Sequence, residues 1–334
     1  MLILGADEVR QVLDGGEAAV LDAVRGAYVQ HARGGTAVPH SVFLRFPGDD
    51  RNRIIALPAY LAGEEPVAGV KWIASFPGNI AEGGDRASAA IILNSTRTGA
   101  PEALVEGSII SARRTAASAA VAAATLAGAT PDTGMTLLGC GVINFEVLRF
   151  TLAALSDVDT VTLFDLDAER ARVFAARVSQ RWPHLKVTVA ERVEDALAAH
   201  HLVSIATTAT VPHLPGEYLR PGTLVLHVSL RDLTPATVLG SVNVVDDADH
   251  VCRAATSLHL AEQEAGHRDF IAAAIGDVLC SGRRFTRAED RLTVFSPFGL
   301  GMLDLALAGL VRREARRRGL GTELPGFLPA GARP

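Results

Sequence analysis

TLLGCGVINFEVLRFTLAALSDVDTVTLFD, running from Thr136 to Asp165, is the stretch whose reading decides the fold. Thr136-Leu137-Leu138 reads as a buried strand that enters Gly139-Cys140-Gly141-Val142-Ile143-Asn144 and then an amphipathic helix. Glycine at the first position permits a tight turn. Glycine at the second lets a pyrophosphate approach the helix N-terminus, where free N–H groups and the dipole favour anions. Asn144 stands where a third glycine is usual, which predicts slightly looser packing of helix on strand. A second strand ends at Asp165, 26 positions after Gly139, where a carboxylate would bind a ribose 2′-hydroxyl and repel a 2′-phosphate. The pattern predicts a site for NAD rather than NADP, built from Gly139, Cys140, Gly141, Val142, Ile143, Asn144 and Asp165. Thr207 and Thr208, closing the later strand LVSIATT, join it.

Downstream of this stretch strand and helix alternate: AERARVFAARVSQRW, KVTVA, VEDALAAH, LVSIAT, TLVLHVS and NVVDD. Such βα repetition with apolar strands predicts a parallel sheet covered on both faces. Upstream, residues 107–128 predict a helix stopped by Gly128, because alanine is the best helix former. Residues 7–33 predict two helices broken at Gly15-Gly16. From Val38 to Leu93, runs such as SVFLRF, RIIALPAY, VAGVKWIASF and AAIILN predict an antiparallel sheet. After LTVFS and a Pro-Phe-Gly turn, LGMLDLALAGLVRREARRRG predicts a final helix that returns to the first domain. The expected class is therefore α/β, a Rossmann-type parallel sheet domain plus a discontinuous α+β domain. The expected division is 1–128 with 302–334 against 129–301, with PGFLPAGARP as a loose tail.

The chain has 334 residues, 49% of them hydrophobic, which suits two globular domains and excludes disordered and collagenous classes. A formal charge of −5 leaves no cationic excess for a phosphate backbone, so no nucleic acid is expected. Cys140, Cys252 and Cys280 are too scattered for a disulfide framework or thiolate zinc site, which points to a reducing cytoplasm. No run is apolar for the ~20 residues a membrane span needs, and no cluster has metal-ligand spacing, so neither membrane nor metal is expected.

Arg45 in VFLRF, Lys71 in VAGVKWIASF and Arg114 in SARRTAASAA are cations embedded in apolar sequence. Each needs an anionic partner, from the protein or from a ligand. Arg113 should face another direction and be solvated. Asp232 follows TLVLHVSL at a strand carboxyl end, where open α/β sheets place their ligands; it reads as a proton acceptor or as a cap before Thr234-Pro235. His227, alternating with apolar residues, reads as a core or lining histidine. The arginines between Arg312 and Arg318 read as a solvated face that compensates the helix dipole.

Lys71-Trp72-Ile73, Asp85-Arg86-Ala87-Ser88 through Ile91-Ile92-Leu93-Asn94, Arg114-Thr115-Ala116-Ala117, Gly139-Cys140-Gly141 and Asp232 together resemble, in order, the ornithine cyclodeaminase and mu-crystallin family. The resemblance is closest to its branch for 2,3-diaminopropionate biosynthesis, which serves siderophore and peptide-antibiotic pathways. It implies a homodimer using NAD, with the discontinuous domain serving substrate binding and dimerisation. It also implies that Arg45, Lys71 and Arg114 clamp a substrate α-carboxylate, with Asp232 as the catalytic acid/base and Lys71 at the reacting centre. The implied reaction is oxidation and imine hydrolysis of N-(2-amino-2-carboxyethyl)-L-glutamate to L-2,3-diaminopropionate and 2-oxoglutarate, with Arg86 and Arg53 as candidates for the additional carboxylates. Ornithine or lysine cyclodeamination, alanine dehydrogenation, ketimine reduction and non-catalytic NAD(H)-dependent ligand binding are the alternatives. Cyclodeaminases place a glutamate in the strand where Arg53-Ile54-Ile55-Ala56-Leu57-Pro58 has no acid, and a Gly-x-Gly-x-Gln turn where Gly139-Cys140-Gly141-Val142-Ile143 stands here.

Overall fold

The computed structural model describes residues 1–128 and 131–329. Two compact units emerge: Met1–Arg114 with the chain from Leu300 onward, and Thr115–Gly299. The first unit is accordingly discontinuous. The sequence places the junctions at 128/129 and 301/302, whereas the units divide at 114/115 and 299/300. One continuous helix, Ser108–Thr125, runs across the first division, so no loop marks it. That helix ends three residues before the expected stop. Thr125 returns its hydroxyl to the Val121 carbonyl, and Gly128 instead leaves room for the Arg287 guanidinium, which forms a bidentate pair with Asp132. Residues 330–334 of the expected tail lie outside the described residues.

The first unit is built on a mixed sheet with the order Thr322–Glu323, Leu2–Leu4, Pro101–Glu106, Ala87–Asn94, Val67–Ser75, Asp49–Leu61 and Thr36–Ala37, and with Val42–Phe46 also paired to Asp49–Leu61. Its pairs are antiparallel except Leu2–Leu4 on Pro101–Glu106. Period-two alternation gives the sheet two unlike faces. Ile91, Leu93, Ala103 and Val105 point to one face and are buried. The final helix, Gly301–Arg318, packs on this sheet closely because it carries glycines where it meets the strands. A Cβ on Gly309 would sit 2.9 Å from Val67, and one on Gly301 3.0 Å from the Leu57 carbonyl. The helices Ala6–Leu13 and Glu17–Ala32 form as the pattern predicts, with Val9, Val20, Val24 and Tyr28 buried.

The second unit holds an all-parallel eight-stranded sheet. Its order is Lys186–Val189, Thr160–Phe164, Gly134–Leu138, Leu202–Ile205, Leu224–His227, Thr293–Ser296, Val242–Val245 and Ile271–Ala274. The chain moves outward from Gly134–Leu138 in one direction and then restarts beside it with Leu202–Ile205. This creates a topological switch point, where open α/β sheets bind ligands at the strands' carboxyl ends. Leu137, Val161, Val203, Ile205, Val225 and Val294 are buried, as parallel strands covered on both faces must be. Among the described residues no helix is long and apolar enough to cross a membrane.

Candidate active site

At the switch point the two glycines of the turn are required for different reasons. Gly139 has φ +92°, and a Cβ there would lie 2.4 Å from the Ala206 carbonyl oxygen, so only glycine fits. Gly141, the residue before helix Val142–Ala154, has an ordinary backbone, and a Cβ would meet nothing within 4 Å. The space outside it is open, as close approach by a phosphate requires. Asp165 closes the adjacent strand; its carboxylate accepts from the Cys140 N–H at 2.7 Å and the Asp167 N–H at 3.0 Å, tying the turn to the end of that strand. Burial, with Asp165 beside it, pushes the Cys140 thiol up to about 12, so it stays protonated and inert. The turn, the helix N-terminus and the acid fit NAD by their own chemistry.

Asn144 corrects one expectation. It is fully buried; its Nδ2 donates to the Leu138 and Gly139 carbonyls at 2.8 and 2.7 Å, and its Oδ1 accepts from Ser204. Helix and strands are therefore pinned together rather than loosened, and the side chain supports the turn from behind. Val142 is exposed and Ile143 half-buried beside it. Thr208 is exposed as well, but Thr207 points its hydroxyl at Asp232.

Asp232 is fully buried beyond strand Leu224–His227. Its carboxylate accepts from the hydroxyls of Thr207 and Ser229, and Oδ2 lies 3.3 Å from His227 Nε2. Desolvation pushes its pKa up, but the bonds and charge from His227 and the bonds from Ser229 and Thr207 outweigh it, and the net shift is downward. The carboxylate is therefore held ionised. The capping role belongs to Thr234, whose hydroxyl accepts from the Thr237 N–H.

In the first unit, Lys71 is 1% exposed, on the sheet face that the final helix covers. Its Nζ donates to Asp304 Oδ2 at 2.7 Å and to Ser111 Oγ at 3.1 Å, while Arg114 Nε donates to Asp304 Oδ1 at 3.0 Å. The anionic partner required by both cations is thus one buried carboxylate, Asp304, which sequence reasoning missed. Two cations against one anion leave a formal excess of one positive charge. Burial lowers the Lys71 pKa to about 8, with Asp304 opposing and Arg114 reinforcing the shift. Arg113 is buried rather than solvated, and it pairs with Asp14. The arginine-rich end of the last helix is likewise partly paired: Arg312 with Glu102, and Arg317 and Arg318 with Glu314.

Three further arginines gather on the same sheet. Arg45 pairs in register with Arg53, and Arg53 with Ser75, so the three side chains share a cross-strand row. Arg86 reaches into this row and donates to Ser75 Oγ at 3.1 Å. Arg45 is exposed, its guanidinium 5.8 Å from the Phe43 ring centroid. Like charges placed opposite one another destabilise a sheet, and an anion on the row would relieve this. Lys71 lies on the same face, four residues from Ser75, or ~13 Å along an extended strand.

The model of the ornithine cyclodeaminase/mu-crystallin family matches residues 6–319. The N-((2S)-2-amino-2-carboxyethyl)-L-glutamate dehydrogenase of Staphylococcus aureus is 27% identical over 330 residues, which cover 97% of this chain and 98% of that protein. Among solved structures, the Delta(1)-pyrroline-2-carboxylate reductase of Thermococcus litoralis, in complex with NADH and L-proline, superposes with a TM-score of 0.89. It is 25% identical, covering 97% of this chain and 100% of that one. An archaeal alanine dehydrogenase dimer with bound NAD superposes with a TM-score of 0.86 at 25% identity, covering 98% and 99%.

Proposed function

The chain belongs to the ornithine cyclodeaminase/mu-crystallin family and is an NAD-dependent amino-acid dehydrogenase, and from that premise we propose that it oxidises N-(2-amino-2-carboxyethyl)-L-glutamate and releases L-2,3-diaminopropionate and 2-oxoglutarate. The observation that carries this choice is the row Arg45, Arg53 and Arg86 in addition to the Lys71–Arg114 pair. A substrate with three carboxylates gives every one of these cations a use. Alanine and ornithine, with one carboxylate each, do not, and the strand Arg53–Pro58 carries no acid for a side-chain amine.

NAD, when bound at Gly139–Asn144 and Asp165, supplies the acceptor for the hydride that leaves the glutamyl Cα. Lys71, Arg114 and Arg45 hold the α-carboxylate, and Arg53 and Arg86 hold the remaining carboxylates. Asp232 takes the proton from the secondary amine as the C–N bond becomes an imine. The same carboxyl group then manages the proton of the water that adds to the imine carbon, and cleavage of the C–N bond gives the ketone and the primary amine. The diamine product would serve siderophore or peptide-antibiotic assembly. NAD reduction assayed side by side with this substrate, ornithine, lysine and alanine tests the reading. Accumulation of NADH with the first alone is the expected outcome, and a preference for any of the others overturns it.

The Lys71 pKa near 8 has a consequence for capture of a carboxylate. The ammonium is present below that value and lost above it, so KM should rise as pH passes through about 8. Losing one charge-assisted bond of ~1.5–3 kcal/mol corresponds to roughly 10- to 100-fold. A KM that stays flat across this range removes Lys71 from the clamp.

The other face of the same sheet supports a homodimer. Trp72 and Val42 are 45% and 64% exposed, and both lie in one cross-strand row with Ala56 and Ala90. Leu44 and Ile92 extend the apolar surface in the neighbouring rows. A continuous apolar patch of this kind marks an association surface. Trp72→Glu should give a monomer by sedimentation while the parent protein sediments as a dimer; a dimeric variant would place the interface elsewhere.

A further inference from the structure

Behind Asp232 lies a second titratable group that the reaction above does not use. His227 is fully buried at the end of its strand, with Nδ1 3.3 Å from Ser296 Oγ and Nε2 3.2 Å from the backbone nitrogen of Asp232. An amide N–H can only donate, so Nε2 accepts from it. Nε2 is also 3.3 Å from Asp232 Oδ2.

The turn that carries Asp232 is itself under constraint. Leu230 adopts φ +68°, a left-handed conformation that a leucine rarely takes, and is buried. Its carbonyl accepts from the Ser257 N–H, and the Asp232 carbonyl accepts from the N–H groups of His213 and Leu214. Strain of this kind persists only where surrounding bonds over-determine it, and it clusters at sites of chemistry. The bond from the Asp232 amide to His227 is one of those restraints, and it acts on the residue that carries the carboxylate.

We infer that His227 is a positioning residue for Asp232, holding the strained turn through Nε2 and bordering the carboxylate at Oδ2. This rests on Asp232 being the acid/base proposed above. The groups facing the carboxylate are the hydroxyls of Thr207 and Ser229 and the His227 ring, and Ser296 faces the ring from behind. The neighbouring Arg231 guanidinium turns to the Ala254 carbonyl.

The test uses His227→Gln, which keeps an acceptor for the Asp232 amide but cannot titrate, in the full-length protein with NAD(H). Two readouts are needed. One is the pH profile of NAD reduction with N-(2-amino-2-carboxyethyl)-L-glutamate; the other is the carbon-13 signal of the Asp232 carboxyl, identified by its loss in Asp232→Asn. With His227 gone, a cause of the depressed carboxyl pKa is gone, so both the acidic limb of the profile and the carboxyl titration should move to higher pH. Turnover should fall roughly 10- to 100-fold, with NADH affinity unchanged. A carboxyl titration that does not move overturns the inference, whatever the activity. Full turnover in Asp232→Asn would instead overturn the role given to Asp232, and the carboxyl signal would still decide on His227. Should His227→Gln not fold, nitrogen-15 signals of the parent protein decide: a coupling across the hydrogen bond between the Asp232 amide nitrogen and Nε2 supports the pair, and its absence overturns it.

Discussion

Asp232→Asn should lower turnover by ~10²–10⁴ while NADH binding, followed by fluorescence titration, stays close to that of the parent protein. The substitution preserves shape, and its amide oxygen can still accept from Thr207, so the strained turn keeps most of its bonds. What it removes is the basic oxygen. In the native protein, hydroxyls and His227 hold that carboxylate ionised inside a buried site, so it is charged when the substrate amine arrives. No second carboxylate is bonded within this cluster of Thr207, Ser229 and His227, which leaves the amine proton without a built acceptor in the variant. Near-normal turnover would take Asp232 out of the chemistry and leave its hydrogen bonds as a purely structural arrangement.

Asp304→Asn should be the most destabilising of the substitutions considered, by ~3–5 kcal/mol, because removing one partner from a buried ionic cluster strands the others. Here two cations are stranded at once, Lys71 and Arg114, both bonded to this one carboxylate. With domain stabilities of only ~5–15 kcal/mol, such a loss is readable as a lowered denaturant midpoint. Lys71 can relieve part of the cost by losing its proton, whereas Arg114 cannot. The direction with pH follows. In the native state the Lys71 pKa is depressed below its unfolded value, and it falls further without Asp304, so the unfolded chain binds the extra proton and stability should rise with pH through that window. Equal midpoints for variant and parent would mean that the two cations do not depend on Asp304.

Much of the second unit was legible because its signals are local. The glycine turn, the helix after it and Asp165 lie within one short stretch, and the apolar strands repeat at even spacing. Shorter or blander elements were not: Leu2–Leu4 needs the distant strand Pro101–Glu106 as its partner, and Ile271–Ala274 is mostly alanine with no alternation to read. Asn144 was misread for a related reason. The motif records that a glycine is missing but not that the side chain replacing it finds three bonds.

In the candidate site, Arg45, Lys71 and Arg114 could be nominated as cations in apolar sequence, but their partners could not. Asp304 lies 233 positions from Lys71 and 190 from Arg114. The one available signal was a lone acid inside the apolar run GMLDLALAGL. The row formed by Arg45, Arg53 and Ser75 depends on strand register, which the alternation of a single strand does not specify. His227 was legible as a lining histidine, but its bond to Asp232 depends on a left-handed leucine, which sequence does not advertise.

The most direct test places deuterium on the glutamyl Cα of N-(2-amino-2-carboxyethyl)-L-glutamate and follows it by mass through a single turnover with NAD. Deuterium in the reduced nicotinamide, with unlabelled 2-oxoglutarate and L-2,3-diaminopropionate as the products, is the predicted result. Deuterium retained in the amino acid, or no reduced nicotinamide formed from this substrate, would contradict the assignment.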